Sequence, residues 1–295
     1  MTTEIVKLDA TVTDEHGEFV GNLRQENFRI LDGDADQHVV FFTPTDAPAQ
    51  ILVMVETSPA VYLIQNDHVA AVYALATGLA DNDEIGLVVY DSAPKTILDF
   101  TADRSSLTFA LQQIQYTLGF GELNLFDSLS ITLDSMQAVP GKKALVLLTT
   151  GLDSAPASHR EALMQKLRST DVVIFPVALG AALRSSSPKS KHKGVSESGE
   201  SSVFVKADET LGSLATVTGG RAFFPKSTSD FAPAYRQIAA TLRHQYVLGI
   251  VPAHDGQYHP LTVQILDDNG VPYPASGKGM CRTVFVRHGY LTPTP

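Results

Sequence analysis

Cysteine, tryptophan and long apolar runs are the features that this sequence lacks. It has one cysteine, Cys281, and no tryptophan among 295 residues. A single cysteine excludes an internal disulfide and a zinc site built from several thiolates. We interpret Cys281, at the start of the last predicted strand (283–287), as a small packing residue. No apolar run reaches the ~20 residues needed to cross a bilayer, so we predict no membrane span.

Positive charge is also scarce. The chain has 22 lysines and arginines against 32 aspartates and glutamates, a formal net charge of −10. A strongly acidic chain repels nucleic acid, so we do not expect a nucleic-acid partner. The composition, 44% apolar and 18% charged, is typical of a chain that forms a hydrophobic core. Its length suits one large domain or two smaller ones.

Familiar catalytic motifs are missing as well. There is no Gly-x-Ser-x-Gly, no His-Glu-x-x-His and no Gly-x-Gly-x-x-Gly, and Gly141–Lys142 lacks the upstream glycine of a phosphate-binding loop. The histidines are scattered, and His254 and His259 flank a predicted turn, which favours surface positions. We therefore predict no catalytic residue and no cofactor, or at most weakly bound magnesium or manganese.

The chain is organised around a short apolar run, 51–56, that ends at Thr57, Ser58 and Pro59. A continuous apolar run closed by turn residues is typical of a strand buried on both faces. In open α/β sheets, ligands bind beyond the carboxyl ends of the strands. Glu56, Ser58 and Ala60 therefore occupy the positions where binding chemistry is expected.

Between residues 49 and 243, strand-like and helix-like stretches alternate. Val69, Val72, Tyr73 and Ala76, for example, lie on one face of a helix. Such alternation implies right-handed crossovers and a sheet covered by helices on both faces. We predict an α/β fold with a Rossmann-like, doubly wound, mostly parallel sheet. Further predicted strands are 85–90, 95–100, 144–149, 172–178 and 221–224, and further helices are 107–118, 125–136 and 231–242.

Both ends of the chain have the two-residue period of half-buried strands. Val6, Leu8 and Ala10 alternate with polar residues, and Leu248 and Val263 belong to similar stretches near the other end. Neither end is long enough to bury a core by itself. We predict that residues 1–48 and 244–295 pair into one small β-sandwich, with the α/β domain of residues 49–243 inserted between them.

Three local features are predicted within the α/β domain. The segment 183–204 is rich in serine, glycine and lysine, which predicts a flexible loop. Asp208 then suits the N-cap of a helix that ends at Gly219. Ser158 and Glu161 have the spacing of a capping box at the start of another helix.

Several phrases in order along the chain resemble one protein family. Glu56–Ala60 stands where von Willebrand factor type A (VWA) domains have Asp-x-Ser-x-Ser, and the whole chain looks more narrowly like the VWFA-related proteins of acidobacterial genomes. The other phrases that carry the resemblance are Ala10–Gly17, Glu26–Gly33, Leu125–Leu129, Ala144–Gly151 and Tyr246–Gly249. The resemblance implies a VWA-like fold for the α/β domain.

In that family, an Asp, two Ser, a Thr and a second Asp bind a divalent metal. The resemblance places Glu56, Ser58, Ala60, Leu123 and Thr150 at these positions. Only Ser58 is the family's residue; Ala60 and Leu123 have no side-chain oxygen, and Thr150 has no negative charge. Because the number and charge of ligands set the affinity of hard cations, we predict a degenerate site that binds no physiological metal.

Apolar residues at the same edge favour contact with a protein partner. The partner-binding candidates are Tyr62 and Leu63, after the central strand, and Phe120 and Leu123 in the facing loop. We predict a non-enzymatic interaction or adhesion module that binds a protein without metal. The alternatives are a metal-dependent adhesion module, in which Asp127 or Asp153 helps Glu56 and Ser58, and a hydrolase that uses carboxylates at this rim.

The resemblance also implies a location. Proteins of this type are usually exported, so we expect the cell envelope or the exterior. The first residues lack a basic and then apolar segment, which predicts that a signal peptide is absent from this sequence.

Overall fold

The structure is a computed structural model that describes residues 5–45, 47–117, 121–180, 183, 197–275 and 280–292, without the side chains of 68 and 197–202. The strands are β1 (Val6–Thr13), β2 (Phe28–Asp32), β3 (Ala35–Gln37), β4 (Phe41–Thr45), β5 (Ala49–Glu56), β6 (Glu84–Tyr90), β7 (Pro94–Thr101), β8 (Lys142–Thr149), β9 (Val172–Ala178), β10 (Gln245–Ile250), β11 (Tyr258–Ile265), β12 (Thr283–Phe285) and β13 (Gly289–Leu291). The helices are α1 (Pro59–Tyr62), α2 (Gln65–Gly78), α3 (Arg104–Gln112), α4 (Leu125–Gln137), α5 (Ala157–Leu167), α6 (Glu197–Thr218) and α7 (Phe231–Arg243).

The central sheet has the order β7-β6-β5-β8-β9. Strands β6, β5, β8 and β9 run parallel, and β7 adds an antiparallel edge. In the middle of the sheet, Val53 lies between Leu87 and Val146. These strands are apolar almost throughout because both faces of the sheet are buried under helices.

Helices cover the two faces of this sheet. Ile51, Val53 and Val55 point to one side, where they pack with α2, α3 and α7. Leu52 and Met54 point to the other side, where they pack with α4, α5 and α6. The predicted doubly wound, mostly parallel sheet is therefore confirmed.

The two ends of the chain form a sandwich of two further sheets, with the orders β12-β1-β10-β4 and β13-β11-β2-β3. Each sheet mixes strands from both ends of the chain. Leu8, Phe28, Tyr246 and Leu261 meet in the core between the sheets. The predicted β-sandwich of the terminal segments is thus confirmed, while the residue boundaries of the two domains stay a prediction.

Three local predictions were wrong. Helix α6 begins at Glu197, inside the predicted loop 183–204, and residues 184–196 lie outside the part of the chain that the structure describes. Asp208 lies within α6 rather than at its N-cap. Helix α5 has Pro156 at its N-cap with no side-chain cap, so Ser158 and Glu161 form no capping box.

Two strand predictions also needed correction. The predicted strand 221–224 is a single bridge between Phe223 and Val177. The last predicted strand, 283–287, ends at Phe285, and the chain then forms β13, which the sequence pattern did not indicate. A three-residue strand that begins with glycine is too short to show a period of two.

Candidate functional site

Three neighbouring strands of the central sheet end at one edge, and each ends in a polar side chain. Strand β5 ends at Glu56, β6 at Tyr90 and β8 at Thr149. Because β5 lies between β6 and β8 in parallel register, the three side chains converge. All three are buried, and Glu56 is 0% exposed.

The Glu56 carboxylate accepts hydrogen bonds from the loops on either side of it. The hydroxyl of Ser58 donates to Oε1 at 2.6 Å. The backbone N–H of Thr150 donates to Oε2 at 2.7 Å, and the hydroxyls of Thr150 and Thr149 donate to the same oxygen at 2.9 and 3.0 Å. A buried carboxylate is costly unless its oxygens accept hydrogen bonds, and here both oxygens do. Glu56 therefore ties the loop after β5 to the loop after β8.

A second layer of hydrogen bonds orients these donors. The hydroxyl of Tyr90 donates to Thr149 Oγ1 at 2.7 Å, and the N–H of Gly151 donates to the same oxygen at 2.9 Å. The Thr149 hydroxyl is thus left to donate to Glu56. Burial, and then the nearby Glu56 charge, raise the pKa of Tyr90 well above its usual value, so Tyr90 stays neutral.

This donor set does not fit a hard divalent cation. Both Glu56 oxygens already accept hydrogen bonds. The surrounding hydroxyl groups direct their hydrogens at this carboxylate, where a cation would need oxygen lone pairs. Ala60 has only a methyl side chain. The Leu123 side chain packs against the hydrophobic core between the central sheet and helices α4, α5 and α6. A cation of the magnesium class needs about six oxygen ligands with free lone pairs. Binding of a partner without a metal ion stays a prediction.

The nearby rim carboxylates are engaged elsewhere. Asp153 Oδ2 accepts a hydrogen bond from the N–H of Phe126 at 2.7 Å, which satisfies a free backbone donor in the first turn of α4. Asp127 lies in that same turn and pairs with His159, with Oδ1 and Nδ1 2.7 Å apart. Among the residues that the structure describes, no three acidic, histidine or cysteine side chains group closely enough to hold a metal ion.

The partner-binding candidates have different environments. Leu63 is 69% exposed and Tyr62 is 42% exposed. The Tyr62 ring meets the Tyr116 ring edge-on, with centroids 5.9 Å apart. Leu123 is half-buried, and Ser154 holds it by hydrogen bonds to both its N–H and its carbonyl. Phe120 lies outside the described residues.

Sequence reasoning identified Glu56, Ser58 and Thr150 as site positions but missed Tyr90 and Thr149. A signal for both exists, since each directly follows five uncharged, mostly apolar residues of a buried strand. Which strand ends lie together depends on the order of the strands in the sheet, and a local sequence pattern does not show that order.

In the described part of the chain, the helices are all too short or too polar to cross a membrane.

Comparison with known proteins agrees with this architecture. The model of the von Willebrand factor type A domain matches residues 62–218, more than half of the chain. No curated protein matches the chain. The solved structure of a von Willebrand factor type A protein from Catenulispora acidiphila is 11% identical, with a TM-score of 0.50 over 96% of this chain and 75% of that one.

Two other solved structures are less similar. An aerotolerance-related membrane protein from Bacteroides fragilis is 12% identical, with a TM-score of 0.46 over 65% of this chain and 98% of that one. The PilB minor pilin from Streptococcus sanguinis is 13% identical, with a TM-score of 0.45 over 68% of this chain and 64% of that one. At these identities the likeness concerns the fold alone. On the strength of the domain match, the chain belongs to the von Willebrand factor type A domain family.

Proposed function

We propose that this protein is a non-enzymatic interaction module that binds a protein partner through the carboxyl edge of its central sheet, without a metal ion. The observation that carries this proposal is the exposure of Leu63 and Tyr62 directly after the Glu56 network. Large apolar side chains held outward beside a polar rim are a common mark of a contact surface.

The Glu56 network supports this role because it holds the contact loop in place. Glu56 accepts a hydrogen bond from Ser58, and α1 begins at the next residue. The N–H of Thr117 donates to the carbonyl of Thr57 at 2.9 Å, which fixes the loop from its other side. A loop that is already ordered loses less conformational freedom on binding, so its contacts contribute more to affinity.

The same network argues against catalysis at this edge. Glu56 cannot act as a general base while its oxygens accept several hydrogen bonds, and Tyr90 is a neutral donor to Thr149. A general base needs a free lone pair within reach of a substrate proton.

We also propose that the protein is exported or lies in the cell envelope, because the family that it resembles is usually exported.

The first test is site-directed crosslinking. A photo-crosslinking amino acid at position 63 should capture one partner from a cell-envelope extract, whereas the same group at position 109 should not. Phe109 is a matched control because it is 66% exposed and lies on α3. Tyr62→Ser should then weaken binding of the captured protein by about 30-fold, the equivalent of about 2 kcal/mol for an aromatic interface residue.

Binding measured in EDTA and in millimolar magnesium should be equal. Magnesium should also leave the melting temperature unchanged, because a ligand that does not bind the native state cannot stabilise it. Equal capture from positions 63 and 109 would contradict the proposed surface. Loss of binding in EDTA would contradict the metal-independent mode and favour the metal-dependent alternative.

A further inference from the structure

A cavity of about 520 Å³ lies between the β-sandwich and the α/β domain, against the start of β8 and β9 rather than the carboxyl edge. On the sandwich side, Lys7 and Asp9 of β1, Thr43 of β4 and Val247 of β10 line it. Asp9 pairs with Val247 and Val247 with Thr43, so these side chains share the sheet face that points away from the sandwich core.

Two further cations line the cavity, Lys142 from the α/β domain and Arg287 from the sandwich. Lys142 is the first residue of β8, and its ammonium donates to the carbonyl of Leu242. Arg287 follows β12, and its guanidinium donates from Nε to the carbonyl of Gly289 and from Nη2 to that of Arg168, each at 2.7 Å. These carbonyls leave two N–H groups on Lys142 and three on Arg287 for another acceptor.

Among the described residues, neither cation forms a direct ion pair, although the negative charge of Asp9 acts on both. Within the described residues, no carboxylate lies at ion-pair distance from Lys142 or Arg287. Asp171 also lines the cavity, but Lys143 already binds it at 2.8 Å. Burial raises the pKa of Asp9 and lowers the pKa of Lys142 to about 8. A buried cation that no carboxylate contacts directly is only partly compensated, so an anion that entered this cavity would be favoured.

The rest of the wall suits the body of a small molecule. Threonines and apolar residues line it, and the hydroxyls of Thr45 and Thr170 accept backbone N–H groups, which leaves their own hydrogens free to donate. The cavity volume lies within the range of about 300–1,000 Å³ that is usual for small-molecule sites.

We propose that this cavity binds a small organic anion, a carboxylate or a phosphate monoester, between Lys142 and Arg287. The site is separate from the carboxyl edge, and the proposal does not depend on the interaction function. An anion held there would contact strand β8 of the α/β domain and the segment after β12 of the sandwich. It would thereby link the two units.

Isothermal titration with succinate, glycerol 3-phosphate and inorganic phosphate tests the proposal. Saturable binding of succinate or of a phosphate probe supports it, and the probe that binds identifies the class. Lys142→Gln should weaken binding by about tenfold or more, as expected for the loss of one charged hydrogen bond. Asp9→Asn should strengthen binding because it removes a negative charge from the wall. Lys95→Gln is the matched control, since Lys95 is exposed on β7.

Lys142 and Arg287 also hold backbone carbonyls, so their variants could lose stability for that reason. Val247→Phe avoids this difficulty because Val247 lines the cavity from the sandwich side and is not a residue whose carbonyl either cation holds. It should abolish binding, with circular dichroism and the melting temperature used to check folding.

Binding should also weaken as the pH rises above about 8, because Lys142 then loses its proton. The negative charges of Asp9 and Asp83 favour the protonated form of Lys142 and so oppose this loss. The other charged residues that line the cavity are Lys7, Asp171 and Arg287.

Two results would overturn the proposal. One is the absence of saturable binding of every probe to the folded protein. The other is equal binding to wild type, Val247→Phe and Lys142→Gln.

Discussion

At the scale of single residues, the difference between glutamate and aspartate decides the chemistry of the carboxyl edge. The extra methylene lets the Glu56 carboxylate reach Ser58 in one loop and Thr150 in the other. A buried carboxylate that accepts only neutral donors acts as a structural link between loops. The sequence identified the position of Glu56 but not this role, because the role depends on donors from β6 and β8 that are distant along the chain.

Glu56→Gln tests this role. A glutamine has one acceptor oxygen, and its amide group would face a donor that now donates to Glu56, so at least one donor loses its acceptor. We expect the free energy of unfolding to fall by about 1–3 kcal/mol, the cost of a buried donor without an acceptor. Urea denaturation monitored by circular dichroism measures the change.

Glu122→Gln is the control for this substitution, because Glu122 is exposed in the nearby loop. Its effect should stay within about 0.5 kcal/mol, as is usual for a surface substitution. A loss below about 1 kcal/mol for Glu56→Gln would show that the carboxylate does not hold the two loops together.

At the scale of elements, burial on both faces made the strands of the central sheet easy to predict. Strands β5, β6, β8 and β9 are continuous apolar runs, and their predicted positions agree with the structure within two residues. The start of α6 could not be predicted in this way. Its first turns are rich in serine and glutamate, and its buried Leu211 and Leu214 lie near its end. Helix α6 is thus anchored by packing that its own first residues do not indicate.

His259 connects separate elements of the sandwich through two carboxylates, although the sequence suggested a surface residue. Its Nδ1 lies 2.7 Å from Asp32 on β2, and its Nε2 lies 3.1 Å from Asp255 in the loop before β11. The hydrogen bonds to Asp255 and Asp32 raise the pKa of His259, and the N–H of Gln257, followed by His259, lowers the pKa of Asp255 to about 2.

This arrangement predicts a pH dependence of stability. The pKa of His259 is higher in the folded protein than its ordinary value of 6.5, so the protonated form stabilises the fold below that pH. The contribution should be lost as the pH rises from about 6 through the raised pKa, because the native state then releases the proton that favours it. His259→Asn should remove this part of the slope of unfolding free energy against pH.

His38→Asn is the control, since His38 is exposed. It should retain the wild-type slope between the same pH limits. Burial lowers the pKa of His288, which gives a slope of opposite sign, and this slope is common to both variants. An unchanged slope in His259→Asn would contradict the role of the pair of carboxylates.

At the scale of the whole molecule, the sandwich makes the two ends of the chain depend on each other. Strand β10 lies between β1 and β4, and β11 lies between β2 and β13. Period-two patterns at both ends, neither long enough for a core, were sufficient to predict this pairing. The order of the strands could not be predicted, because several pairings of short strands bury the same apolar faces. The cavity between the sandwich and the α/β domain depends on that order of strands, so it could not be predicted from the sequence either.

Removal of residues 1–48 therefore tests the architecture. The shortened chain loses β1, β2, β3 and β4, so β10 would keep two unpaired edges, and Leu248 and Leu261 would lose the core that buries them. Unpaired strand edges beside apolar surface favour association between chains. We expect residues 49–295 to aggregate or form oligomers, as measured by size-exclusion chromatography with light scattering.

Addition of residues 1–48 as a separate chain during refolding is the control. It should restore a discrete 1:1 complex, which distinguishes the loss of strand pairing from general misfolding. A monomeric shortened chain with the wild-type melting temperature would show that the two ends fold independently.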